Sequence, residues 1–285
     1  MPIENTSAER IAAYLAQEIK SAVFAEYKFE FNELEIEVEE TPGQSAVYTL
    51  FKEQGKRMKF IELPHGTSVK GEKIEAFKSE VEGQKYNYIL GAVHGDEVEG
   101  AHLAKKLFEF LRETNDVSMP VIVVPIVNVD GFKAGTRVNG NGVDLNRNLP
   151  SAQWTPEARE AKYFPGTAPL SEPENKFLVD LFKKYPPRFI LSFHSWYPVI
   201  NYNGACKEIA EFLASYNKYP IEADFLTHPT PGSLGEFGPQ EFKSPVLTFE
   251  CPVLSDTVTL DSVWKENEEA FKQLFLTRTI ETFKA

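Results

Sequence analysis

The chain has 285 residues, 42% of them apolar and 25% charged, enough for one large domain with a sizeable core. A net charge of −12 argues against broad nucleic-acid binding and against attraction to an anionic membrane surface, and no apolar run reaches the roughly 18 residues needed to span a bilayer. Two cysteines, Cys206 and Cys251, exclude both a disulfide scaffold and a zinc-finger cluster. The opening MPIENTSAER has neither a basic n-region nor an apolar h-region, so the expectation is a protein without a secretory signal, working in a reducing cytoplasm.

In chain order, residues 7–24 predict an amphipathic helix, with Ile11, Leu15, Ile19 and Val23 recurring every four positions. Residues 29–40 predict a strand whose Leu34, Ile36 and Val38 face one way and whose Glu33, Glu35, Glu37 and Glu39 face solvent. The turn Thr41-Pro42-Gly43 leads to a return strand at 48–51. From Phe60 the pattern changes. Apolar strands at 59–63, 74–78, 86–93, 121–127, 189–194 and 246–250 are interleaved with helices at 100–112, 173–184, 205–216 and 262–283. Strands that are apolar on both faces, alternating with helices, indicate an α/β fold with a sheet flanked by helices on both faces. The strands at 86–93, 121–127, 189–193 and 246–249 are its expected centre. The division expected is a small N-terminal α+β extension, 1–58, and a main domain, 59–285. Residues 130–172 are rich in Gly, Asn and Pro with little periodicity, and a loop of that length inside a compact domain is usually functional.

Ligands of open α/β sheets bind beyond the carboxyl ends of the strands. Three of the expected strands end in chemically capable residues. One runs into His94-Gly95-Asp96-Glu97, one into His194, and one into Glu250-Cys251-Pro252. A glycine after the histidine lets the chain turn tightly, so that His94 and Glu97 converge on one ion, with His194 as the third ligand. Two imidazoles and one carboxylate make a catalytic zinc set with an open position, which would lower the pKa of a bound water and polarise a carbonyl. A His-x-x-Glu motif alone is common; the coincidence of two histidines and two acids at strand ends carries the weight. Glu250, closing an apolar strand, is the expected general base, later returning the proton to a leaving amine. In the loop, Arg137 and Arg147 suit anion recognition: one could hold a substrate carboxylate and the other a developing oxyanion.

Taken in order, several segments carry a resemblance. They are the 66–74 segment, His94-x-x-Glu97, Arg137, Gly142-Val143-Asp144-Leu145-Asn146-Arg147-Asn148, Ser192-Phe193-His194 and Thr248-Phe249-Glu250. Together they resemble the M14 zinc carboxypeptidases of the carboxypeptidase A superfamily over roughly residues 60–285. The resemblance implies a mixed central sheet and one Zn2+ ion on His94, Glu97 and His194. It further implies Glu250 as general base and acid, Arg137 as polariser of the scissile carbonyl, and Asn146 with Arg147 as a clamp on the substrate's terminal carboxylate. The family's capping tyrosine has no counterpart here; Thr227-His228-Pro229 stands in that region, with His228 the nearest substitute. The family's Asn-Pro-Asp-Gly turn becomes Asn128-Val129-Asp130-Gly131.

Thr230-Pro231-Gly232-Ser233-Leu234-Gly235 is similar to the bacterial murein peptide amidase branch. That similarity implies a small peptide substrate cut at a γ-D-glutamyl–diaminopimelate bond. The side-chain pocket is expected near Leu234, Gly235 and Glu236, with Glu236 pairing with a diaminopimelate ammonium if it points inward, and otherwise serving as a solvated loop glutamate. Two alternatives stay open at this level. One is an N-acyl amino acid deacylase of the aspartoacylase and succinylglutamate desuccinylase type, suited by His94-Gly95-Asp96-Glu97 before a helix. The other is a non-catalytic peptide-binding module, against which stands the complete set of ligands and base.

Overall fold

The computed structural model describes residues 8–27, 33–41, 44–51, 57–223 and 229–283. Two compact units divide the chain, residues 1–55 and 56–285. In the first, helix α1 (Ala8–Tyr27) packs on the antiparallel hairpin of β1 (Glu33–Thr41) and β2 (Gln44–Phe51). Along β1 the glutamates 33, 35, 37 and 39 are exposed and Leu34, Ile36 and Val38 half-buried, which is the alternation expected of a strand with one wet face. Helix α1 departs from its pattern. Among its described side chains the buried positions are Ala8, Ala12 and Ala16, whereas Leu15 and Ile19 are exposed. Ile11 and Val23, the other members of the branched stripe, are half-buried.

The second unit follows in the order β3 (Phe60–Glu62), β4 (Gly66–Thr67), β5 (Lys73–Ile74), β6 (Phe77–Ser79), β7 (Tyr86–Leu90), α2 (Val98–Glu113), β8 (Val121–Val124) and α3 (Val129–Ala134). After a long loop come α4 (Pro173–Lys184), β9 (Pro187–Trp196), β10 (Val199–Asn203), α5 (Lys207–Asn217), β11 (Ile221–Ala223), α6 (Leu234–Phe242), β12 (Val246–Pro252), α7 (Leu260–Leu276) and α8 (Thr279–Thr282). Eight strands form one mixed sheet in the order β11-β10-β12-β9-β7-β8-β6-β3. Its four central strands, β12, β9, β7 and β8, are mutually parallel, as expected of apolar runs buried on both faces.

The two faces bury separate cores. One holds Leu191, Phe193, Leu247 and Phe249 under α2, α5 and α7; the other holds Tyr88, Leu90, Ile190 and Val246 under α4 and α6. Where the sequence predicts one strand at 74–78, two short ones form, β5 and β6. The helix expected over 262–283 breaks between α7 and α8, where Arg278 takes a left-handed φ of 58°. Helix α7 starts earlier than 262, at Leu260, because Thr259 and Ser262 cap it reciprocally.

The loop between α3 and α4 is ordered by buried carboxamides that stand in for absent ladder bonds. Asn148 Nδ2 donates to the carbonyls of Pro165 (2.8 Å) and Ala168 (3.0 Å), and Asn139 Oδ1 accepts from the backbone N–H groups of Asn141 and Val143, both at 3.0 Å. Asn128 is the N-cap of α3, its side chain accepting from Gly131 N.

Candidate active site

His94 lies four residues beyond the end of β7. The chain leaves that strand through Ala92, buried at a left-handed φ of 44°. Gly95 has a different role from the turn expected of it: a Cβ there would stand 2.1 Å from the carbonyl carbon of Gly131, so the glycine permits close passage against α3. The Glu97 N–H then donates to the His94 carbonyl (3.3 Å), and this one turn brings both side chains to the same side at the start of α2. His194 lies within β9 and Glu250 within β12, directly opposite one another in the parallel register. Three separate segments therefore deliver the four residues to one end of the sheet.

His94 Nδ1 lies 2.7 Å from Glu97 Oε1, His194 Nδ1 lies 2.8 Å from Glu97 Oε2, and the two Nδ1 atoms are 3.1 Å apart. All three residues are buried. The outer ring nitrogens are occupied: His94 Nε2 faces Asp144 Oδ1 at 3.2 Å and His194 Nε2 faces Ser192 Oγ at 3.0 Å. Partners of this kind fix ring orientation in metal sites. The donor set therefore fits zinc in ligand type, in number and in the inward turn of both Nδ1 atoms. Glu97 is held well below the usual carboxylate range: burial, which pushes it up, is outweighed by the two imidazoles. Asp144 is likewise depressed, its burial outweighed by His94 and by Arg137 and Arg147.

Glu250 is buried, and its Oε2 has no hydrogen-bond partner among the described residues. Burial pushes its carboxyl up to about 7, with His194 and Arg137 opposing the rise. A buried acid without a structural partner, beside a potential metal position, is a group with chemistry to perform.

The loop supplies the cations. Arg137 donates from Nε to Asp144 Oδ2 (3.0 Å) and from Nη1 to Glu97 Oε1 (3.4 Å). Arg147, buried, donates from Nη1 to its neighbour's carbonyl at Asn146 (2.6 Å). Asn146 Oδ1 accepts from Leu234 N (2.8 Å), which leaves its Nδ2 as the donor for a ligand. A cavity of about 540 Å³ is lined by His94, Glu97, Arg137, Asn146, Arg147 and Glu250, among others.

Two expected pocket residues are placed elsewhere. The Leu234 side chain is buried in the core beneath α6, because as the first residue of that helix it faces the sheet. Glu236 Oε2 accepts from Ser151 Oγ (2.7 Å) and Gly232 N (3.2 Å) and so ties down the loop instead of lining the cavity. Gly235 does line the cavity, and His228 lies outside the described residues. Sequence reasoning missed Asp144, whose signal was its place between Arg137 and Arg147. It also missed Tyr163, whose ring has the guanidinium carbons of Arg137, Arg147 and Arg159 at 5.2, 5.6 and 5.3 Å from its centroid, a cation–π cluster at the cavity.

The family model described as zinc carboxypeptidase matches residues 46–228, a span that includes His94, Glu97, Arg137, Asn146, Arg147 and His194 and stops short of Glu250. Murein peptide amidase A of Vibrio campbellii is 31% identical over 219 residues, covering 72% of this chain and 86% of that protein. Murein peptide amidase A of Escherichia coli K12 is 31% identical over 206 residues, covering 67% and 81%. Among solved structures, murein-tripeptide amidase MpaA from Escherichia coli O157 superposes with a TM-score of 0.62 at 28% identity, covering 75% of this chain and 91% of that one. Carboxypeptidase A from Helicoverpa armigera, at 18% identity and a TM-score of 0.62, shares the fold. It covers 78% of this chain and 68% of its own.

Proposed function

The chain belongs to the zinc carboxypeptidase family, and on that footing we propose that it hydrolyses the γ-D-glutamyl–diaminopimelate amide of a small murein peptide with a free terminal carboxylate. That it is a hydrolase of the peptidase and amidase type follows from membership and from the murein peptide amidase relatives. The observation that supports zinc-dependent amide hydrolysis is the convergence of His94, Glu97 and His194 beside buried Glu250, whose Oε2 has no partner among the described residues, with Arg137, Asn146 and Arg147 on the same cavity; the murein peptide amidase relatives support the choice of bond.

His94, Glu97 and His194 would hold the zinc, which when bound supplies Lewis acidity toward water and toward the scissile carbonyl oxygen. Glu250 Oε2 takes the proton of the attacking water and delivers it to the leaving amine nitrogen, a two-way role that suits a carboxyl whose pKa burial has raised toward neutrality. Arg137 is fixed by Asp144, so its positive charge is in place before an oxyanion develops. Asn146 Nδ2 and Arg147 bind the terminal carboxylate and set the register of the scissile bond. Tyr163 holds the guanidinium groups of Arg137 and Arg147 from the loop side.

The test is turnover on a panel: L-Ala–γ-D-Glu–diaminopimelate tripeptide, C-terminal dipeptides, and N-acyl amino acids. Cleavage of the tripeptide with release of diaminopimelate is expected. Hydrolysis confined to acyl-aspartate or succinylglutamate would replace this reading with a deacylase, and absence of any turnover by zinc-loaded protein would replace it with a binding module.

A further inference from the structure

Of the residues that meet at the candidate site, Glu97 stands at the start of α2, whereas His194 and Glu250 come from β9 and β12. A helix has no ladder bonds to a sheet, so the placement of Glu97 against the other two needs a separate link. One step beyond His194 and Glu250, Ser195 and Cys251 sit opposite each other in the parallel register. Strand alternation turns these two to the other face of the sheet, where Leu191, Phe193, Leu247 and Phe249 pack under α2. Helix α2 lies very close there. A Cβ on Gly100 would stand 2.5 Å from the Phe193 carbonyl oxygen, so a glycine is what lets the helix press on β9 beside His194.

Glu99, in the first turn of α2, is only 2% exposed. Its Oε2 accepts from Ser195 Oγ (2.8 Å) and its Oε1 from the Leu254 N–H (2.6 Å). Ser195 directly follows His194, and Leu254 comes shortly after Glu250, where the chain has left β12 at Pro252. The Ser195 N–H donates in addition to Glu97 Oε2 (3.3 Å), so α2 holds Ser195 through two carboxylates. Beside them the Cys251 thiol lies 3.2 Å from the His194 carbonyl oxygen. A buried carboxylate is costly unless its oxygens are bonded, and both bonds of Glu99 go to chain segments adjoining His194 and Glu250. Both donors are uncharged. A glutamine could therefore reproduce the pair, its carbonyl oxygen accepting from the Leu254 N–H and its amide donating to Ser195 Oγ.

We propose that Glu99 is a positioning residue for the hydrolysis. Acting through Ser195 and Leu254, it locks the start of α2 to the ends of β9 and β12, and so sets where Glu97 stands relative to His194 and Glu250. Its contribution is the pair of hydrogen bonds, not its charge. This rests on the reading of His94, Glu97 and His194 as metal ligands and is read out separately from turnover.

The experiment loads the full chain and its Glu99→Ala, Glu99→Gln and Ser195→Ala variants with Co2+, whose visible absorption bands report the geometry of the ligands. Alongside the spectra, zinc affinity is measured by competition with a chelator, and kcat and KM on the tripeptide with the zinc-loaded proteins. Glu99→Ala is expected to shift the cobalt bands, to weaken zinc binding by about 10–100-fold and to lower kcat by a similar factor, with KM changed by less than about threefold. Glu99→Gln should restore all of these toward wild type. Ser195→Ala, which removes one bond of the two, should show the same effects at reduced size. Wild-type bands, affinity and kcat in Glu99→Ala, with only a lower unfolding midpoint, would reduce Glu99 to a stabilising contact and overturn the proposal. Equal impairment of Glu99→Gln and Glu99→Ala would overturn it too, since charge would then be what matters. If Glu99→Ala does not fold, the comparison of Ser195→Ala with Glu99→Gln decides, and wild-type behaviour of Ser195→Ala overturns the proposal. Shifted bands in a chain without turnover remove the amidase reading and uphold the positioning role; a wild type that binds no cobalt removes the metal reading and the proposal together.

Discussion

Glu250 and Asp144 are both buried carboxylates, yet their surroundings assign them opposite tasks. Asp144 is bonded to His94, to Arg137 and to the Asn146 N–H, so it is a fixed structural anion. Glu250 Oε2 has no such partner among the described residues, and burial raises its pKa to about 7. Glu250→Gln should therefore lower kcat by about 10²–10⁴-fold with zinc content unchanged, as measured by steady-state kinetics and metal analysis. A variant that loses its zinc as well would place Glu250 among the ligands. Asp144→Ala acts differently, because it frees His94 to turn and leaves Arg137 without its anchor. Zinc affinity, followed by competition with a chelator, should fall by about 10–100-fold. Unchanged affinity would show that the His94 ring needs no outer partner.

At the scale of elements, the parallel centre of the sheet is what positions the chemistry, and its packing is correspondingly sensitive. Phe249, next to Glu250 but facing the other way, is fully buried with ring centroids 4.9 Å from Phe271 and 6.0 Å from Phe193. Phe249→Ala should cost about 3–5 kcal/mol in denaturant unfolding. A loss below about 1 kcal/mol would mean that the core collapses around the vacancy. These central strands were legible in the sequence because apolar runs such as Val121–Val124 have no other good home, although the strands expected at 86–93 and 121–127 end sooner, at Leu90 and Val124. His94, His194 and Glu250 were legible because each follows or closes such a run. Strand β10 was not, since Val199–Asn203 is short and polar on one face, and that polar face belongs to the cavity. Helix α6 was hidden by Gly235, Gly238 and Pro239, which read as a loop until Ser233 caps the first turn. The burial of Asn201 and the turning away of Glu236 depend on partners 21 and 85 residues distant, Glu222 and Ser151, and no local pattern encodes them.

Across the whole molecule, the two units differ in what holds them. Residues 56–285 contain both large cores and every described residue of the candidate site, whereas the first unit is one helix on one hairpin. A fragment beginning at Lys56 is therefore expected to unfold cooperatively and to bind one zinc; a fragment that is molten in near-UV circular dichroism would show that the first 55 residues complete the core. Among the described residues no helix is long and apolar enough to cross a membrane, and the acidic surface leaves anion recognition to the local cluster of Arg137, Arg147 and Arg159 around Tyr163. The central claim is that amide hydrolysis depends on one zinc ion held by His94, Glu97 and His194. It is tested most directly by stripping the purified chain with a chelator, assaying tripeptide cleavage, and titrating Zn2+ back. The prediction is loss of turnover on stripping and recovery that saturates at one equivalent, and full cleavage by metal-free protein would contradict it.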